Sequence, residues 1–394
     1  MIEPVATALP RQRWQNLIAA ISCVTVFGFA LGQMFPLLSL IMEREGVAPD
    51  IIGFNTSMQP VGILLSGLVV PPLVHRFGAK TVVICAACAA SAIVVCYPLL
   101  PIYWAWFGLR FLQGLAVSTL FSISEAWVVR FAEGPYRARI VGIYASVLAL
   151  SFGLGSYAVA ILGIDGMMPF AVGAGVLILA TLPVLFLRDE AMPDSDEGGA
   201  TRFLTFVPKA PVLLLAVGVF AIFDAACLGF LPVYGVKVGM SQEDAAMTLA
   251  VMAFGNVGFQ FLVGWLADKL AKRAVMTWLA VLTGALTALI PMSVGTPWLW
   301  VLLLVIGATS VGIYTVALAE LGERFTGSEL VAGTSAMSTT WGTGALLGSL
   351  IAGYAMNSFG PNGFPYAMAI VFALFIIAIG AREHAKRRKQ GLAA

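Results

Sequence analysis

Three ionisable side chains stand inside otherwise apolar runs of the sequence: Arg110 in FGLRFLQG, Glu125 in SISEAWVV and Asp224 in AIFDAACL. A charge in hydrocarbon costs about 2.5–3.5 kcal/mol on the insertion scale, so each needs a reason to be there. Asp224 falls midway along its apolar run, where a carboxyl is a candidate to take up and release a proton. The competing reading is a carboxylate paired permanently with Arg110 or hydrogen-bonded to a neighbouring span. Arg110 keeps its proton at any working pH. It must therefore be paired, solvated or bound to an anion, and a salt bridge locking two helices accounts for it as well as a functional role does. Glu125 follows fifteen residues later, roughly 22 Å along a helix and about 60° around it. It faces broadly the same side as Arg110, either as a partner for Arg76 or Lys80 or as a second proton site.

The elements that must position these groups follow from composition. Of 394 residues, 60% are hydrophobic and 11% charged, and the mean hydropathy is +0.95. Soluble domains carry about 25% charged residues, so this chain cannot cover a water-facing surface of its size. A soluble enzyme, a nucleic-acid binder and a disordered scaffold are excluded, and a net charge of +2 implies no polyanionic partner. About 20 apolar residues span a bilayer core as a helix. Twelve such stretches are expected, at 16–41, 51–74, 81–101, 103–128, 139–161, 167–187, 211–235, 244–267, 274–294, 297–319, 331–355 and 364–381. They are long apolar runs, unlike the ten-residue alternation of a membrane barrel. The first is too long for a signal-peptide core and is expected to remain as a helix.

Placing the N-terminus in the cytoplasm puts nineteen of the 22 Lys and Arg residues in inside segments. Arg44 and Lys237 are left outside and Arg110 within a helix. The positive-inside rule then predicts both termini cytoplasmic. The segment 188–210, polar and containing Pro and Gly, divides the spans six and six. The expected organisation is an N-terminal six-helix bundle over 1–187, a cytoplasmic linker over 188–210 and a C-terminal bundle over 211–394. The basic tail of that second bundle is expected to lie against anionic headgroups.

Smaller signals are weaker. Cys85 and Cys88 have half-site spacing, but the only histidines are His75 and His384, so no metal and no disulfide is expected. Gln33, Gln113, Asn256, Gln260 and Tyr314 are candidates to line a pathway, with helix–helix hydrogen bonding as the alternative. Span 11 is rich in hydroxyls, and its Gly344 and Gly348 form a small-xxx-small stripe.

A shift of 193 residues lays Leu73 on Leu266, Arg76 on Lys269, Lys80 on Arg273 and Gly114 on Gly307. Two six-helix halves in parallel register are a known membrane plan with a site at their interface. The residues here resemble a family. Gly264-Trp-Leu-Ala-Asp268-Lys269-Leu-Ala-Lys272-Arg273 is similar to the GxLADRxGRK loop of the major facilitator superfamily, with a degenerate first-half copy, PPLVHRFGAK, carrying His75 where the family has Asp. Arg110-Phe-Leu-Gln113-Gly114-Leu-Ala resembles the second signature, RxxxGxG/A. The Gly-Pro signature of proton-driven drug exporters is absent from span 5, where Gly142, Gly153 and Gly155 stand instead.

The resemblance implies an all-α membrane protein with twelve transmembrane helices in two pseudo-symmetric bundles, and a cavity between spans 1, 4, 7 and 10. It also implies a cytoplasmic gate of His75, Arg76, Lys80, Asp268, Lys269, Lys272 and Arg273, paired between the halves. The expected function is secondary active transport of a small or medium organic solute, coupled to protons through Asp224, Arg110 or Glu125. No GxxxxGK[S/T] motif is present, so ATP is not the expected driver. No cofactor is expected; the expected partners are a small-molecule substrate, protons and membrane lipids, around a monomer. Export of amphipathic, cationic compounds and uptake of an organic anion against Arg110 both fit. A non-transporting sensor or an intramembrane enzyme fits worst, because no nucleophile stands with a base.

Overall fold

In a computed structural model, residues 11–131, 137–187 and 206–391 are described. They form twelve helices: α1 (Arg11–Arg44), α2 (Pro49–Phe77), α3 (Ala79–Leu99), α4 (Tyr103–Phe131), α5 (Arg137–Leu162) and α6 (Met168–Leu185), then α7 (Pro211–Lys237), α8 (Gln242–Lys269), α9 (Lys272–Ser293), α10 (Trp298–Arg324), α11 (Gly327–Phe359) and α12 (Gly363–Gly391). No strand occurs among the described residues. Most of the expected linker, 188–205, lies outside them, as does the end of the tail beyond Gly391.

Eleven of these helices are long and apolar enough to cross a membrane, and α11 is the exception. It is 33 residues long, so its composition excludes it: Thr334, Ser335, Ser338, Thr339, Thr340 and Thr343 lower its hydropathy. Ser338, Thr339, Thr340 and Thr343 each donate to the carbonyl four residues back, so their hydroxyls are satisfied within the helix. The helix also packs between α2 and α7. Several helices overrun the apolar stretches; α1 begins at Arg11 and α12 continues through the basic segment to Gly391. A helix satisfies its own backbone, so nothing obliges it to stop where the hydrocarbon does. At the start of α8, Ser241 Oγ accepts from the Asp244 amide at 3.0 Å, with Glu243 and Asp244 in the first turn.

Within the N-terminal half α1 packs on α4, α5 and α6, α2 on α4, and α3 on α4 and α6. Within the C-terminal half α7 packs on α11, α8 on α10, and α9 on α10 and α12. Three close crossings repeat with the 193-residue shift. A β-carbon on Gly62 would overlap the carbonyl oxygen of Phe111, and one on Gly255 that of Leu304. Gly114 and Gly307 stand in the same relation to Gln59 and Met252, and Gly155 and Gly348 to Phe29 and Ile222. Each pair differs by 193, so the internal repeat is a repeat of backbone-to-backbone contacts made possible by the absent side chain.

The halves meet through α2 on α11, α5 on α8 and α1 on α7. Gly53 near the start of α2 lies against Ser349 and Gly353 near the end of α11, and Gly353 also against Pro49. Lys237 at the end of α7 pairs with Glu43 at the end of α1 at 3.4 Å. These contacts lie on the face opposite the one where α1 begins and α12 ends. On that face the two halves are joined.

Candidate functional site

Arg110 is fully buried in α4. The Gly62–Phe111 and Gly114–Gln59 crossings bring α2 hard against α4 and set two amides beside the guanidinium. Its Nε donates to Asn55 Oδ1 and its Nη1 to Gln59 Oε1, each at 3.2 Å. The Phe35 ring of α1 lies 5.0 Å from the guanidinium carbon. One turn along α4, Gln113 Oε1 accepts from the Tyr97 hydroxyl at 3.0 Å. No ion pair joins Arg110 to Asp224 or to any other acid among the described residues. Gln33 is also fully enclosed, its Nε2 donating to the Pro169 carbonyl at 2.8 Å across α1 and α6. Both Gln33 and Gln113 thus sit inside the N-terminal half and not on an open surface. Their amides are used between helices.

The two acids are placed differently. Asp224 lies at the middle of α7, half-buried and without a hydrogen-bond or ion-pair partner among the described residues. Phe220, one turn earlier on the same side, packs on Tyr314 of α10 with ring centroids 5.5 Å apart. Glu125 is exposed near the end of α4, likewise without a hydrogen bond or ion pair among the described residues. It lies within Coulombic reach of Tyr314 and of Tyr144 in α5. Ser124 beside it is hydrogen-bonded to the Tyr144 hydroxyl at 2.9 Å. Glu125, Tyr144, Tyr314, Phe220 and Asp224 therefore form one region reaching from α4 and α5 of one half to α7 and α10 of the other. Asn256 and Gln260 are half-buried on α8 and hydrogen-bonded to each other; Gln260 also accepts from Thr315 of α10 at 3.1 Å.

The residues expected to gate the terminal face make no pair across the halves among the described residues. Lys80 donates to the Leu185 and Leu187 carbonyls at 2.8 Å, closing the end of α6, and Arg76 lies over Phe77. Lys269 lies over Trp265, Lys272 pairs with Glu323 at 2.6 Å, and Arg273 and Arg324 both pair with Glu320, at 3.3 and 2.9 Å. His75 and Asp268 are exposed. The physical reason is that the halves are joined at the opposite face, so cations on this one find partners within their own half. The sequence reading missed Glu320 and Glu323 because it ended the span at 319. The signal was there in ALAELGER, two carboxylates three apart closing an apolar run.

The family model described as Major Facilitator Superfamily matches residues 18–319 and 213–393. The chain belongs to the Major Facilitator Superfamily. Within it, the chain is 25% identical over 363 residues to the uncharacterized MFS-type transporter YfkF of Bacillus subtilis (strain 168), covering 90% of this chain and 92% of that one. It is 22% identical over 376 residues to YcaD of Escherichia coli (strain K12), covering 93% and 95%. The fold matches that of the nucleoside transporter NupG with a TM-score of 0.77 at 13% identity, over 94% of this chain and 99% of that one. A bacterial homolog to the human lysosomal transporter Spinster, in an inward-facing and occupied conformation, matches with 0.72 at 15% identity, over 97% and 98%. Superfamily membership makes this a multi-pass membrane transporter and not an enzyme.

Proposed function

We propose that this transporter exports small or medium amphipathic, cationic organic solutes in exchange for protons, by alternating access. One observation carries the reading: both acids of the region between the halves are free of partners among the described residues, whereas the one arginine of the interior is fully enclosed. A pathway lined by unpaired carboxylates and aromatic rings attracts a lipophilic cation and repels a carboxylate. Uptake of an organic anion against Arg110 would need that guanidinium to be reachable from the pathway.

In the cycle, Asp224 holds either a proton or the substrate's charge. Binding of the cation releases the proton, and reprotonation from the outer side expels the cation. Glu125 draws cations towards the mouth on the terminal face, and Tyr314 with Phe220 offers the rings on which they stack. The halves 1–187 and 211–394 rock about the α2–α11 and α5–α8 contacts while 188–210 tethers them. The Lys and Arg distribution supports both termini in the cytoplasm and the bacterial relatives support an inner membrane, which puts the joined face outside. A monomer suffices, since every proposed group lies in one chain.

The test uses proteoliposomes with an acid interior and labelled tetraphenylphosphonium outside, at zero membrane potential. The outward proton gradient is expected to drive accumulation of the cation, and dissipating the gradient to abolish it. Accumulation of acetate or lactate under an inward proton gradient, with no response to the cation, would contradict the proposal.

A further inference from the structure

We propose that the enclosure around Arg110 is an occluded binding site for one small, singly charged anion of the chloride class, separate from the transport pathway. The argument is a count of donors against acceptors. The oxygens of Asn55 and Gln59 accept from Arg110, and that of Gln113 accepts from Tyr97. The two bonds to Arg110 fix the orientation of the Asn55 and Gln59 amides, because a flipped amide there would set N–H against N–H, whereas the Tyr97 hydroxyl can donate or accept and leaves Gln113 free to turn. What remains on the two fixed amides and the guanidinium is donors alone: Asn55 Nδ2, Gln59 Nε2 and Arg110 Nη2 are buried and meet no acceptor among the described residues. Three unpartnered donors therefore stand on neighbouring turns of α2 and α4, at a guanidinium that meets no acid among the described residues.

An uncompensated buried guanidinium is costly, and each unmet buried donor adds about 1–3 kcal/mol. The groups set against Arg110 among the described residues are neutral: Phe35 from α1, Asn55 and Gln59 from α2 and Tyr97 from α3. A water accepts two hydrogen bonds but leaves the charge unbalanced. A divalent anion would invert it. A monovalent anion cancels the charge and supplies an acceptor for the unmet nitrogens. Neutralised in this way, α2 and α4 stay clasped as a rigid unit while the halves move.

The experiment follows thermal unfolding of the purified, detergent-solubilised chain as sodium gluconate is replaced by sodium chloride at fixed ionic strength and pH. The melting temperature is expected to rise saturably by a few degrees. Bromide matching chloride would assign an inorganic halide; formate acting at lower concentration would assign a small carboxylate; both are the proposed chemistry. In Gln59→Glu or Asn55→Asp, a fixed carboxylate beside Arg110 is expected to replace the anion and abolish the response. The second variant serves if the first does not fold. Because an enclosed anion exchanges slowly, ion chromatography after chloride-free gel filtration and denaturation is the second readout, with one anion expected for each chain. Equal melting in both salts together with no released anion would overturn the proposal, as would an undiminished chloride response in the carboxylate variants.

Discussion

Glu125 and Asp224 differ from most charged groups in this molecule in having no partner among the described residues, and the consequences are separable. Glu125 is exposed at the mouth of the region it shares with Tyr144 and Tyr314. Glu125→Gln is expected to raise the KM for a lipophilic cation about tenfold, or about 1.4 kcal/mol, while leaving one proton exchanged per substrate. Paired substrate and proton fluxes check both. Loss of proton coupling in that variant would make Glu125 the proton carrier. All three membrane charges were legible in the sequence, because a charge within an apolar run is rare and costly. What the sequence left open was their company. Arg110 is enclosed because Gly62 and Gly114 draw α2 and α4 together around it, and two amide orientations decide that it meets neutral oxygens and no carboxylate among the described residues.

The glycine crossings carry the element-scale account. Gly155 of α5 meets the backbone of α1 at Phe29 and Gly32, so Gly155→Ala forces two helices apart. Overpacking of this kind typically costs about 1–3 kcal/mol. The expected result is a lower melting temperature, and the same for Gly348→Ala at the equivalent crossing. Gly142→Ala and Gly258→Ala face open space and are expected to leave melting unchanged. Equal effects at all four positions would refute the repeat as a packing device. The 193-residue register was readable from a few loop charges and one glycine pair, yet the contacts it encodes were not, since glycine alone does not say what approaches it. The hydroxyl-rich α11 was counted as a span in the sequence although its apolarity falls short; its place between α2 and α7 explains why a polar helix is tolerated there. At the end of α10, Glu320 escaped notice because a span's last turn looks like loop when only hydropathy is read.

At the scale of the whole molecule, the Glu43–Lys237 pair and the Gly53–Gly353 approach hold the halves together on one face. Lys237→Gln removes the only ion pair between the halves among the described residues. Spin labels on Asp50→Cys and Glu243→Cys, with the native cysteines replaced, would report the gap between halves on that face. A broader distance distribution with a larger open population is expected in Lys237→Gln, and an unchanged one would show that apolar contact alone sets the equilibrium. Gate pairing between the halves was not legible from loop charges, since those charges find partners in their own half while the far face is shut. The central claim is that Asp224 exchanges proton for substrate, and proton flux in proteoliposomes carrying an internal pH-sensitive dye tests it most directly. Adding a lipophilic cation outside is expected to drive protons out of vesicles bearing the wild-type chain, and to produce no flux in Asp224→Asn chains that retain their fold. Equal proton flux in the two proteins would contradict the account.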